Sequence, residues 1–153
     1  MNYLNISKDD LLNGDGIRVV LWVAGCNHQC KGCQNPETWN ERNGILFTEE
    51  TANIILKELS KPYITGLTLS GGDPLFPNNR ETLTNLCKEV KEKFPSKDIW
   101  CWTGYLYQEV KSLPIMRYID VLIDGPYIEE LRDITLEWRG SSNQKIIRLR
   151  NKD

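Results

Sequence analysis

The chain has no excess of basic charge. Its 19 Lys and Arg stand against 21 Asp and Glu, a formal net charge of −2, and no basic run or face is visible. That leaves no electrostatic footprint for nucleic acid, which is not expected as a partner. No stretch approaches the roughly 20 apolar residues that a helix needs to span a bilayer, so no membrane association is expected either. Met1 to Leu12 is polar and mixed. It lacks the charged, apolar and small-residue layout of a secretory leader, and a cytoplasmic location is the expectation. There is no internal repeat, low-complexity tract or linker. A length of 153 residues is one domain's worth, so residues 1–153 are expected to form a single domain. That size buries a core without staples. Five cysteines in an unexported chain are then poor candidates for a disulfide framework.

What is present is an alternation of two periodicities. Ile17 to Gly25 is a nearly continuous, β-branched apolar run and reads as a buried strand. Thr48 is placed to cap a helix whose Ala52, Ile55, Leu56 and Leu59 share one face. Gly66 to Ser70 reads as a second strand running into the turn Gly71-Gly72-Asp73-Pro74. Pro77 and Asn78 introduce a helix with the stripe Leu83, Leu86, Cys87, Val90 and Phe94, and Pro95 ends it. Ile99 to Thr103 reads as a third strand, about Leu106 to Leu113 as a short helix, and Tyr118 to Ile123 as a fourth strand before Asp124-Gly125-Pro126. Lys145 to Leu149 is a candidate further strand. Strands alternating with helices predict an α/β fold with a mostly parallel sheet and right-handed crossovers. Four or five βα units are too few for a closed eight-stranded barrel, so an open, partial TIM-like barrel is expected. Ligands of such sheets sit at the carboxyl ends of the strands. The loops after Gly25 and after Ser70 should therefore face one pocket.

Three of the five cysteines fall within eight residues: Cys26-Asn27-His28-Gln29-Cys30-Lys31-Gly32-Cys33, or C-x3-C-x2-C. Structural zinc takes four protein ligands, and a four-cysteine cubane is likewise closed. Three thiolates on a cubane leave one iron open, which is what a catalytic metal needs to hold a substrate. Two other readings stand beside this one. The three can be plain loop thiols, or a zinc site with His28 as fourth ligand. The zinc site would draw all four ligands from one short loop, whereas zinc sites usually take pairs from separate segments.

The motif, with the later strand ending in Gly-Gly-Asp-Pro, resembles the radical S-adenosylmethionine superfamily. Asn13-Gly14-Asp15-Gly16-Ile17-Arg18 is similar to the opening of its glycyl-radical enzyme activases. So are Gly25-Cys26 through Cys33-Gln34-Asn35 with Thr38-Trp39, and Leu69-Ser70-Gly71-Gly72-Asp73-Pro74-Leu75. Lys97-Asp98-Ile99-Trp100, Trp102-Thr103-Gly104-Tyr105 and the tail Trp138-Arg139-Gly140-Ser141-Ser142-Asn143-Gln144 narrow the likeness to the branch that acts on anaerobic ribonucleoside-triphosphate reductase. The likeness covers nearly the whole chain. Two positions depart from the pattern: Gly32 stands where many superfamily members carry an aromatic, and Asp15 where a proline is common. No ferredoxin-type second cysteine set is present.

The resemblance implies that Cys26, Cys30 and Cys33 hold a [4Fe-4S] cluster whose fourth iron binds S-adenosyl-L-methionine. It implies reductive cleavage to methionine and a 5′-deoxyadenosyl radical, which takes hydrogen from a glycine of the partner reductase. Reduced flavodoxin or ferredoxin is the implied electron donor. Gly71 and Gly72 let backbone approach the ligand, and Asp73 offsets the methionine ammonium. The backbone of Gly32, Cys33 and Gln34 runs beside adenine. An activase of another glycyl-radical enzyme, such as pyruvate formate-lyase, and a non-catalytic zinc module are the alternatives. Arg18, a cation in an apolar strand, is either a site contact or an edge-strand charge reaching solvent. Trp100 and Trp102 share a strand face opposite Cys101 and read as packing, with Trp102 near enough to the strand end to meet the pocket. Cys87 reads as core. Arg139 to Gln144 is a partner contact or a turn.

Overall fold

The computed structural model describes residues 1–28, 30–32 and 39–150. Among the described residues, seven strands form one open mixed sheet in the order β3-β1-β2-β4-β5-β6-β7. Its centre is four parallel strands: β2 (Ile17–Val23), β4 (Ile64–Gly71), β5 (Asp98–Trp102) and β6 (Val121–Asp124). The antiparallel strands β1 (Asn2–Asp10) and β3 (Ile45–Leu46) flank one side, and β7 (Lys145–Arg148) the other. Helix α1 (Glu49–Leu59) leads into β4, and α2 (Arg80–Lys93) links β4 to β5. The short α3 (Tyr107–Val110) and a 3-10 turn over Pro114–Arg117 link β5 to β6. This is the expected α/β alternation with an open sheet.

The two faces of the sheet differ, and the difference makes the site. Val19, Leu21 and Val23 of β2, Leu67 and Leu69 of β4, and Ile99 and Cys101 of β5 pack against Ile55 and Leu59 of α1 and Leu83, Leu86 and Val90 of α2. The opposite face carries Trp100, Val121 and Ile123, joined by Trp102, Trp138 and Ile146. Period-two alternation puts Arg18 and Trp22 of β2 on the second face as well.

Helix starts follow their local chemistry. Thr48 caps α1, its backbone N–H donating to Thr51 Oγ1 at 3.1 Å. The stripe Leu83, Leu86, Cys87 and Val90 is buried as its spacing predicts. Phe94 N–H closes the helix on Val90 O at 2.8 Å, just before Pro95.

Two local readings need correction, and two elements are filled in where the sequence carried no assignment of structure or orientation. Met1 to Leu12 contains the nine-residue strand β1, paired along β2. Most of β1 is only half-buried, so it shows no apolar run, and its partner strand defines it. The helix over about 106–113 shortens to α3, because Pro114 opens a 3-10 turn instead. Strand β6 begins at Val121 and not at Tyr118, which caps that turn. The last strand is present but antiparallel.

Candidate functional site

Parallel register brings the strand ends together. Val23 pairs with Gly71 and Trp102 with Ile123, so the loops that leave β2, β4, β5 and β6 emerge side by side. They surround a cavity of about 640 Å³. Trp22, Ser70 and Trp102 line it from the second sheet face, Cys26 and Cys30 from the loop after β2, and Gly71, Gly72 and Asp73 from the turn after β4. The two expected motifs thus share one cavity.

Their roots are joined by main chain. Gly72 N–H donates to Val23 O at 2.8 Å and Asp73 N–H to Gly25 O at 2.7 Å. The buried Asn79 amide donates to Ala24 O at 2.9 Å and to Asp73 O at 3.1 Å. Gly71 has φ +107°, and a Cβ there would stand 2.6 Å from the backbone N and O of Val23. Only glycine allows so close an approach of the turn to β2.

Asp73 is 1% exposed. Its Oδ1 accepts from Leu75 N–H and Thr103 Oγ1, both at 2.8 Å. Its Oδ2 accepts from Gly104 N–H at 3.0 Å and His28 Nε2 at 2.7 Å. The carboxylate expected to face a ligand ammonium therefore spends both oxygens on protein donors. The hydrogen bond to Asp73 raises the His28 pKa, against an opposing effect of burial.

The cysteines sort by environment. Cys26 and Cys30 are half-buried and line the cavity. Ligand atoms of Cys26, His28 and Asp73 lie within 4.8 Å of one another. Cys87 and Cys101 are sealed on the helix side of the sheet. Burial pushes the Cys87 thiol up to about 12 and Cys101 well above its ordinary value. Two thiols bordering an open cavity suit a sulfur-ligated iron centre. Cys33 and Gln34, expected as third ligand and adenine neighbour, lie outside the described residues. Gly32 has φ +77°, and a Cβ there would collide with the Glu129 carboxylate and crowd Tyr127. The space a larger residue at position 32 would need is occupied by Glu129 and Tyr127.

Arg18 fits neither of its two expected roles. It is 0% exposed on a central strand. Its guanidinium donates to Thr68 Oγ1 at 2.7 Å, Leu67 O at 2.9 Å and Asp15 O at 3.0 Å, and pairs with Asp98 Oδ1 at 2.8 Å. It is a buried structural cation.

Sequence reasoning missed Tyr127, Trp22 and Thr103 as contributors to the cavity wall. The Asp124-Gly125-Pro126 turn at a strand end was the available signal for Tyr127. Trp102 does reach the cavity, and its Nε1 donates to Trp138 O at 2.9 Å. The tail folds over the strand ends through Gln144. That side chain accepts from Gly140 N–H at 2.9 Å and Ser141 N–H at 3.1 Å and donates to Gly125 O at 3.0 Å. Trp138 takes φ +60°, rare for a bulky side chain, and lines the cavity with Arg139 and Gly140. The segment Arg139–Gln144 is thus a braced turn that also forms cavity wall.

An open α/β sheet with cysteine thiols at its strand ends defines a class, the single-cluster iron–sulfur domain. Residues 12–147 match the family described as "4Fe-4S single cluster domain". The anaerobic ribonucleoside-triphosphate reductase-activating protein of Enterobacteria phage T4 is 54% identical over 95% of this chain and 93% of its own length. The proteins of that name from Haemophilus influenzae and Escherichia coli K12 are 47% and 41% identical, each over 98% of this chain and 99% and 100% of their own lengths. The chain belongs to the family of anaerobic ribonucleoside-triphosphate reductase-activating proteins. Among the described residues, no helix is long and apolar enough to cross a membrane.

Proposed function

We propose that this chain is a radical S-adenosyl-L-methionine enzyme that installs a glycyl radical on an anaerobic ribonucleoside-triphosphate reductase. The observation that carries this reading is the shared cavity of Cys26 and Cys30 with the Gly71-Gly72-Asp73 turn. Relatives named as activating proteins of that reductase support the choice of partner. Cys26, Cys30 and Cys33 would hold a [4Fe-4S] cluster. Such a cluster would supply the electron for reductive cleavage of S-adenosyl-L-methionine, giving methionine and a 5′-deoxyadenosyl radical that would take a hydrogen from a reductase glycine.

The chain's own part is positioning and exclusion. Backbone groups at Gly71 and Gly72 would take the methionine end of the ligand, and Gly32, Cys33 and Gln34 are the residues that the family likeness assigns to the adenine. Trp22, Trp102 and Trp138 give the cavity wall apolar surface, which would limit the water beside a reactive radical. A reduced flavodoxin or ferredoxin in the cytoplasm is the donor in this reading. Residues 1–153 act as one domain, and the repeated βα units support describing it as a partial TIM-like barrel.

The test is anaerobic reconstitution with iron and sulfide, followed by a dithionite-driven assay for 5′-deoxyadenosine. Roughly four irons and four sulfides per chain are expected. Cys26→Ala, Cys30→Ala or Cys33→Ala should abolish the product, and Cys87→Ala should retain it. Stoichiometric zinc without sulfide would overturn the enzyme reading. Recovery of a formate-lyase instead of a nucleotide reductase as binding partner would overturn the choice of substrate.

A further inference from the structure

We propose that His28 and Asp73 form a positioning clasp that holds the cysteine loop at a fixed distance from the Gly71-Gly72 backbone, and that S-adenosyl-L-methionine affinity depends on it. This rests on the reading above. The loop after β2 is tied at its root by main-chain bonds from Gly72 and Asp73 to Val23 and Gly25. Beyond Cys26 the tie passes to a side chain. His28 Nε2 donates to Asp73 Oδ2 at 2.7 Å, so Cys26 lies between two anchors on the same turn.

Gly104, Tyr105, Leu75 and Thr103 pack or hydrogen-bond around the clasp. The imidazole lies over Gly104, where any Cβ would enter the ring. Tyr105 meets it edge to face, with centroids 4.6 Å apart. Asp73 is held in turn by Leu75 N–H, Thr103 Oγ1 and Gly104 N–H. Three loops, after β2, β4 and β5, thereby converge on one carboxylate. A ligand that spans the cysteine loop and the Gly-Gly turn needs their separation set before it binds, and preorganisation of this kind acts on affinity. Asp73 and His28 are positioning residues here, acting through the loops they join.

The experiment compares His28→Phe, His28→Gln and Gly104→Ala with the wild type. Phe keeps the ring packing and loses the hydrogen bond, and Gln keeps a donor. In Gly104→Ala the new Cβ displaces the imidazole. Loss of a charge-assisted hydrogen bond predicts that His28→Phe loads iron normally and keeps kcat for 5′-deoxyadenosine. Its KM for S-adenosyl-L-methionine should rise about tenfold. His28→Gln should recover most of the loss, and Gly104→Ala should reproduce the Phe phenotype. Hydrogen exchange on the metal-free proteins reads the clasp without any cofactor. Amides of residues 26–28, 30–32 and 103–105 should exchange faster in His28→Phe, with α1 and α2 unchanged. Wild-type KM and wild-type exchange in His28→Phe would overturn the proposal. So would failure of all three variants, Gln included, to load iron. A wild type that makes no 5′-deoxyadenosine would defeat the enzyme reading instead, and the exchange comparison would still decide whether the clasp exists.

Discussion

Arg18 and Asp98 form a 2.8 Å ion pair across a strand that separates them, because the residue between them, Gly66, has no side chain. Arg18 on β2 pairs in register with Gly66 on β4, and Gly66 pairs with Asp98 on β5. A Cβ on Gly66 would strike Asp98 and stand 3.0 Å from Arg18 Nη2. Desolvation lowers the Arg18 pKa while Asp98 raises it, so the cation depends on its partner. Breaking a buried pair leaves an uncompensated charge and costs about 3 kcal/mol where one partner keeps some exposure, as Asp98 does at 24%. Arg18→Met and Gly66→Ala should each lose stability of that order in urea unfolding. Because both disrupt the same pair, the double variant should lose clearly less than the sum.

Gly71→Ala tests the turn. A left-handed backbone and a 2.6 Å approach to Val23 both oppose a methyl group there. The expected loss is about 1–3 kcal/mol in thermal or urea unfolding. Iron loading at the neighbouring cysteine loop should fall with it. A fully stable Gly71→Ala protein would show that the turn adjusts without glycine.

The cysteines should separate by reactivity. In reduced, metal-free protein near pH 8, Cys26 and Cys30 should alkylate readily, since both border the cavity. Cys87, pushed up to about 12, and Cys101, held well above its ordinary value by burial, should stay protected until the chain unfolds. Peptide mapping after a timed iodoacetamide pulse reads the order.

Glu58 predicts part of the acid response. Its carboxylate pairs with Lys61 at 2.6 Å and with Lys8 of β1 at 3.6 Å, tying α1 to the edge of the sheet. The hydrogen bond from Lys61 is the main cause holding its pKa below the ordinary carboxylate range. A depressed carboxylate adds stability above its unfolded value and loses it as pH falls through the lower folded one. Stability measured by urea titration should therefore decline less steeply on acidification in Glu58→Gln than in the wild type.

Several features could be read without coordinates. The βα alternation, the capped start of α1 and the stripe of α2 follow from local periodicity, which reports on a few adjacent residues. The split between three clustered cysteines and a core Cys87 was likewise legible, because clustering and helical spacing are properties of the chain itself. The family could be recognised from motifs spread along the whole length.

Tertiary structure decided what depends on partners far away in the chain. Strand β1 has no apolar run of its own and is defined by pairing with β2. Arg18 became a structural cation only once Gly66 opened a path to Asp98. Asp73 became the junction of three loops because parallel register set His28, Thr103 and Gly104 around it. The tail became cavity wall through the reach of Gln144 to Gly125. Residue pattern alone thus determined the elements and the chemical types at the site. Which groups spend their hydrogen bonds on one another followed from strand register and burial, and neither is a local property of sequence.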